Sequence, residues 1–155
     1  ARPSAVFSYF LGFSRLYPSN EKYTGYHLNH LSPNETNEVG GVSGSCMVIR
    51  KDVIDTIGYF DERYFAYQED SDYCLTASKN GWKVYYHPDA IVKHVGGQRG
   101  SNSFPTRAIF EWHSSYVRYY YKNFANDYSS IFNIFYLCVM LCKLIVAETT
   151  YMLKQ

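Results

Sequence analysis

Glycines at positions 40–41, 58, 81 and 96–97 punctuate the middle of the chain, so no element between residues 40 and 103 can be long. After Gly40-Gly41 the apolar residues of 42–49 predict a strand, and Lys51 to Ile57 predicts a short helix that Gly58 terminates in a left-handed conformation. A second helix is expected over 70–80, capped by Asp70 or Ser71 and stopped by Gly81. Two further short strands, 82–86 and 91–94, are expected on either side of Pro88-Asp89, followed by a glycine-rich loop over 95–103. Short strands alternating with short helices predict an α/β fold.

The two ends read differently. Val6, Phe7, Phe10, Leu11 and Phe13 recur at helical spacing and suggest a short amphipathic helix, whereas 17–40 is polar, aperiodic and reads as a long loop. Pro105 opens a helical segment to about residue 124, aromatic and basic by turns. The stretch 131–147 is apolar except for Asn133 and Lys143. It is slightly short for a bilayer span of about 20 residues, so an interfacial or partner-packed helix is expected. The domain reading is therefore 1–103 for the α/β portion and 104–155 for a helical extension.

A chain of 155 residues with 46% hydrophobic and 19% aromatic content can bury a real core and is not disordered. Fifteen Lys and Arg against 14 Asp and Glu leave a formal net charge of +1, so no basic field points to nucleic acid. Seventeen tyrosines favour half-wet grooves and interfaces, since each ring joins an apolar body to a polar tip. Cys46, Cys74, Cys138 and Cys142 form no close ligand cluster and are expected to be reduced thiols. No signal peptide is recognisable, and the start at Ala1-Arg2-Pro3 suggests processing or a piece of a longer protein.

Chemistry concentrates in 60–72, where Asp61, Glu62, Glu69, Asp70 and Asp72 are interleaved with Phe60, Tyr64, Phe65 and Tyr67. Neighbouring carboxylates against an apolar wall raise one another's pKa and prepare a general base. The alternative is local: Asp61 pairs with Arg63, while Glu69 and Asp70 sit at the positive end of a helix. His94, just before the glycine-rich loop, is either a metal ligand or a strand-end histidine with one hydrogen bond. The loop amides with Arg99 suit phosphate, although the Lys-Ser/Thr ending of a Walker motif is absent. His27-x-x-His30 is half a zinc site without a second pair, and a surface loop is expected there.

Several segments together resemble family 2 glycosyltransferases. Gly44-Ser45-Cys46-Met47-Val48-Ile49-Arg50 is similar to the family's glycine-then-apolar strand ending in Arg. The run from Gly58 to Phe65 resembles its "G-F-D-E-x-F-F" segment, and Glu69-Asp70-Ser71-Asp72-Tyr73-Cys74 its "E-D-x-D-L-C". Gly81-Trp82, Pro88-x-Ala90 and Val92-x-His94-x-Gly96-Gly97 follow in the family's order. The resemblance covers roughly residues 40 to 125, and the subgroup it approaches is the rhamnosyltransferase-like enzymes of bacterial surface polysaccharide assembly. Ser45 stands where Ala is usual, and Arg99-Gly100 shifts the alignment of the loop by a residue or two.

This resemblance implies the C-terminal, acceptor-side half of a GT-A, Rossmann-like domain, followed by C-terminal helices. It implies inverting transfer from a nucleotide-sugar donor to a glycan or lipid-linked acceptor, at the cytoplasmic face of the cell membrane. Asp70 would be the general base, supported by Glu69. Asp72, Gly44, Ser45, Arg99 and Ser101 would bind substrate, and His94 would help hold a divalent Mg or Mn ion. The family's Asp-x-Asp metal motif has no counterpart in this sequence, so the chain is expected to be inactive alone. Two other readings are a non-catalytic sugar-binding or membrane-surface module derived from such an enzyme, and a carboxylate-rich divalent-metal binder without transfer activity.

Overall fold

The computed structural model describes residues 8, 11–25, 28, 30–95 and 104–154. The chain divides into two units, one made of Ala1–Phe60 with Asp70–Lys93 and the other of Asp61–Glu69 with His94–Gln155.

In the first unit the glycine stops operate as the sequence predicts. Helix α3 (Lys51–Ile57) ends at Gly58, whose φ of 80° lets its N–H reach the Ile54 carbonyl at 2.8 Å. Helix α4 (Glu69–Lys79) runs to a left-handed Gly81 at φ 84°, after which the Trp82 N–H returns to the Ala77 carbonyl. These two helices meet in a small core in which Val53, Tyr73 and Ala77 are buried and Ile49, Ile57 and Trp82 pack around them. The Tyr73 hydroxyl donates to the Gly58 carbonyl at 3.0 Å, tying the end of α3 to α4. Two single-turn helices, α1 (Phe13–Leu16) and α2 (Glu21–Thr24), precede them. Of the amphipathic helix expected at the start, Val6, Phe7 and Phe10 lie outside the described residues, and Leu11 is exposed.

The strands depart most from expectation. Residues 42–49 form no strand: Ser43 Oγ accepts the Ser45 N–H and starts a 3-10 turn at Gly44–Cys46, and Val48 is 95% exposed. Residues 91–94 form none either. The segment 82–86 contributes only β2 (Tyr85–Tyr86), and its antiparallel partner β1 (Asn37–Glu38) lies in the polar stretch read as loop. The polar stretch is tied down by side chains. Lys83 pairs with Glu38 at 2.7 Å, Thr36 Oγ1 meets His87 Nδ1 at 2.9 Å, and the Tyr86 hydroxyl donates to the Pro33 carbonyl. A strand needs a second backbone to complete its hydrogen bonds, and apolar composition does not name that partner. The cap prediction also fails by a residue or two. Helix α4 begins at Glu69, so Asp70 and Ser71 are both in its first turn.

The second unit contains a helical hairpin. Helix α5 (Pro105–Asn123) starts with proline in its first turn, where a missing N–H costs nothing, as the sequence predicts. A 3-10 turn (Ala125–Asp127) leads to α6 (Ser130–Met152), whose N-cap Ser129 accepts the Phe132 N–H at 3.3 Å. Helix α6 has 23 residues, longer than the apolar stretch read from sequence, because Ser130 and the Glu148–Met152 turn extend it at both ends. Contacts between Trp112 and Lys143, Tyr116 and Tyr136, and Tyr120 and Asn133 run in opposite chain directions, so the pair is antiparallel. Tyr120 stacks on Tyr136 at 4.0 Å, and Asn133 spends its amide on the Ala125 carbonyl. Asn133, Tyr136 and Lys143 of α6 thus face α5, while Ile131, Ile145 and Val146 are exposed. Cys46, Cys138 and Cys142 are exposed free thiols, and only Cys74 is buried as an inert hydrophobe would be.

Candidate functional site

Helix α4 carries the carboxylates that the sequence singles out. In the first unit Asp70 has both oxygens engaged: Oδ2 accepts the Gly44 N–H at 2.8 Å, and Oδ1 accepts the Ser71 N–H at 2.6 Å. Gly44 and Asp70, 26 residues apart, are therefore brought together, and a Cβ at Gly44 would lie 3.5 Å from the Asp70 Cβ. Each carboxylate oxygen has two lone pairs, so these bonds fix the group while leaving it able to accept a further proton donor. Ser45 is exposed on the same 3-10 turn, its hydroxyl 2.9 Å from that of Ser43. Asp72, one turn position further along α4, is 3% exposed.

In the second unit the segment before Glu69 is held by α5 between Asp61 and Ala66. Asp61 takes a bidentate pair from Arg63, with Nη2 at 2.6 Å, so the local pairing read from sequence is present. Lys122 of α5 adds a bond at 2.8 Å, which the sequence reading missed. The Arg63 guanidinium, with the Lys122 ammonium beside it, holds the Asp61 carboxyl well below the usual carboxylate range. Tyr64 is buried with the Arg118 cation 5.6 Å from its ring centre, and Arg107 stacks 3.8 Å over Phe65. Ser115, fully buried, donates its hydroxyl to the Ala66 carbonyl at 2.7 Å. Tyr67 and Gln68 then adopt φ of 67° and 65°. Two consecutive non-glycine residues in the left-handed region cost about 1–2 kcal/mol each. Next in the chain is Glu69, whose Oε2 is buried with no hydrogen-bond partner among the described residues. A charged oxygen left so is a costly arrangement unless a ligand completes it.

The remaining candidates are less constrained. His94 is exposed, and among the described residues no three His, Cys, Asp or Glu side chains assemble into a metal site. One exposed imidazole does not by itself hold a divalent ion. Arg99 and Ser101 lie outside the described residues, as does His27, while His30 Nδ1 is 2.8 Å from the Thr24 hydroxyl. Lys122 and Ser115 were legible only as members of a basic, aromatic helix, because nothing in their local sequence names a partner in 61–69.

Comparison with known proteins gives an independent view. A family model described as glycosyltransferase like family 2 matches residues 19–114, more than half of the chain. An N-acetylglucosaminyl-diphospho-decaprenol L-rhamnosyltransferase of Mycobacterium tuberculosis is 42% identical over 78 residues, covering 50% of this chain and 25% of the relative. Rhamnosyltransferase WbbL of Escherichia coli is 36% identical over 71 residues, covering 46% of this chain and 26% of its own. The matched region thus spans about a quarter of the length of these curated relatives. No solved structure matches.

Proposed function

Because the chain belongs to the glycosyltransferase-like family 2, we propose that it is the acceptor-side portion of a GT-A enzyme that transfers a sugar, with inversion, from a nucleotide-sugar donor to a glycan or lipid-linked acceptor. The observation that carries this reading is the consecutive Glu69-Asp70 pair opening α4, with Asp70 oriented by the Gly44 amide. An acceptor hydroxyl is a poor nucleophile, and its proton must leave as the bond to the anomeric carbon forms. Asp70 takes that proton, while Glu69 accepts a hydrogen bond from the acceptor and Asp72 supports substrate binding at the same site. The rhamnosyltransferases among its relatives favour a deoxyhexose donor and a polyprenyl-diphosphate acceptor for this protein too.

Gly44 and Ser45 line the acceptor side, and Arg99 and Ser101, outside the described residues, would by the family resemblance contact the donor diphosphate. In this reading His94 would be one ligand of a divalent Mg or Mn ion, which when bound would supply positive charge toward a leaving diphosphate. The chain's own described residues do not complete that site, and the rest of its ligands come from elsewhere in the enzyme. Helix α6 is long and apolar enough to cross a membrane by length and composition. Its attachment along one side to α5, which carries Arg107, Arg118 and Lys122, favours instead a helix lying at the inner face of the membrane, where a lipid-linked acceptor would be met.

The deciding experiment is Asp70→Asn in the full-length protein. The substitution keeps an oxygen for the Gly44 amide and gives up only the bond from the adjacent Ser71 N–H, so fold and donor binding should survive. Turnover should fall by about a hundred- to ten-thousand-fold, the usual worth of a general base. Transfer near the wild-type rate would mean that Asp70 only caps and orients its helix, and the proposed chemistry would fail.

A further inference from the structure

We propose that Ser115 is a positioning residue for the Glu69 carboxylate, acting through the Ala66 carbonyl and the left-handed pair Tyr67-Gln68. The inference rests on the reading above that Glu69 serves the acceptor site. Three observations in the second unit carry it. Ser115 is fully buried, and its hydroxyl donates to the Ala66 carbonyl at 2.7 Å across 49 residues of sequence. The next two residues hold φ of 67° and 65°, a conformation that side-chain-bearing residues leave unless something fixes them. The residue after those is Glu69, whose Oε2 is buried and unpartnered among the described residues.

Taken in order along the chain, these are an anchor, a strained turn and an unsatisfied carboxylate. The neighbouring contacts fix the backbone only as far as Phe65, through Asp61 on Lys122, Tyr64 near Arg118 and Phe65 under Arg107. The bond from Ser115 ties the residue immediately before the left-handed pair to α5. Without it, Tyr67 and Gln68 relax toward ordinary backbone angles, and Glu69 swings with them. A small side chain is required at 115 because Ser115 is fully buried, and its hydroxyl supplies the donor that the Ala66 carbonyl accepts.

The test is a double-mutant cycle in the full-length enzyme, with nucleoside-diphosphate L-rhamnose as donor probe and N-acetylglucosaminyl-diphospho-decaprenol as acceptor probe. Ser115→Ala should lower kcat about tenfold to a hundredfold, the range for a misplaced reacting group, and leave the donor KM unchanged. Combined with Glu69→Gln it should add nothing further, since both changes remove the same placed carboxylate. Gln68→Gly accepts the left-handed angle without strain, and in the Ser115→Ala background it should restore most of the rate. If Ser115→Ala does not fold, Ser115→Cys, a weaker donor of similar size, takes its place. Additive losses from Ser115→Ala and Glu69→Gln, or no rescue by Gln68→Gly, would overturn the inference. A silent Glu69→Gln would instead remove the role assigned to Glu69 in the proposed function. Independently of turnover, NMR couplings on this chain should show Tyr67 and Gln68 leaving the left-handed region in Ser115→Ala and returning with Gln68→Gly. Unchanged couplings in Ser115→Ala would also overturn it.

Discussion

Asp61 shows how a single side chain is made sensitive to acid. It is bonded to Arg63 and to Lys122, and its side chain is only 16% exposed, so ionisation is favoured far below its usual range. In the unfolded chain an aspartate titrates near pH 4. Its folded value is depressed, so the stability it contributes is fully present above that pH. It is lost progressively as the pH falls toward the folded value. Asp61→Asn should therefore cost on the order of 1–2 kcal/mol at neutral pH, the scale of charge-assisted hydrogen bonds, and should flatten the acid limb of a stability-versus-pH curve below about pH 4. Equal acid sensitivity in the two proteins would show that Asp61 contributes nothing to it. The Asp61–Arg63 half of this arrangement was legible in the sequence because the partners are two apart. The Lys122 half was not, since a lysine 61 residues away carries no local mark of its partner.

At the scale of elements, stops were legible and pairings were not. Gly58, Gly81 and Pro105 act through their own backbone geometry, and all three end or begin helices where the sequence indicates. Residues 42–49 and 91–94 have strand composition yet form no strand, while Asn37 and Glu38, polar and unpromising, do. A helix satisfies its own hydrogen bonds, whereas a strand depends on which backbone comes alongside. The same distinction applies to the candidate site: Asp70 could be found from its motif, but its bond to the Gly44 amide required the fold. Helix α6 gives a test at this scale. Its apolar face is open, with Ile131 81% exposed, while Asn133, Tyr136 and Lys143 face α5. Truncation after Tyr128 should move the full-length protein from the membrane fraction to the soluble fraction and abolish binding to anionic liposomes. If both forms remain soluble and bind no liposomes, α6 is a packing element for protein.

For the whole molecule, the notable feature is that neither unit is continuous in sequence. The nine residues Asp61–Glu69 interrupt the first unit and belong to the second, whose helices come much later. This has a consequence in time. As a ribosome makes the protein, Ala66 emerges 49 residues before Ser115. At about 5–20 residues per second, that is a wait of roughly 2–10 s. If Ser115 holds the turn at Tyr67-Gln68 as proposed, the Glu69 carboxylate is placed late, after α3 and most of α4 can already pack together. Nascent chains stopped before Pro105 should accordingly show extended backbone couplings at Tyr67 and Gln68, and chains stopped after Tyr128 should show the left-handed ones. A left-handed pair already present in the shorter chain would mean that the turn forms by itself. On that proposal the order of synthesis leaves the first residue of α4 unset until α5 exists, so an incomplete product presents the Glu69 carboxylate in no fixed direction.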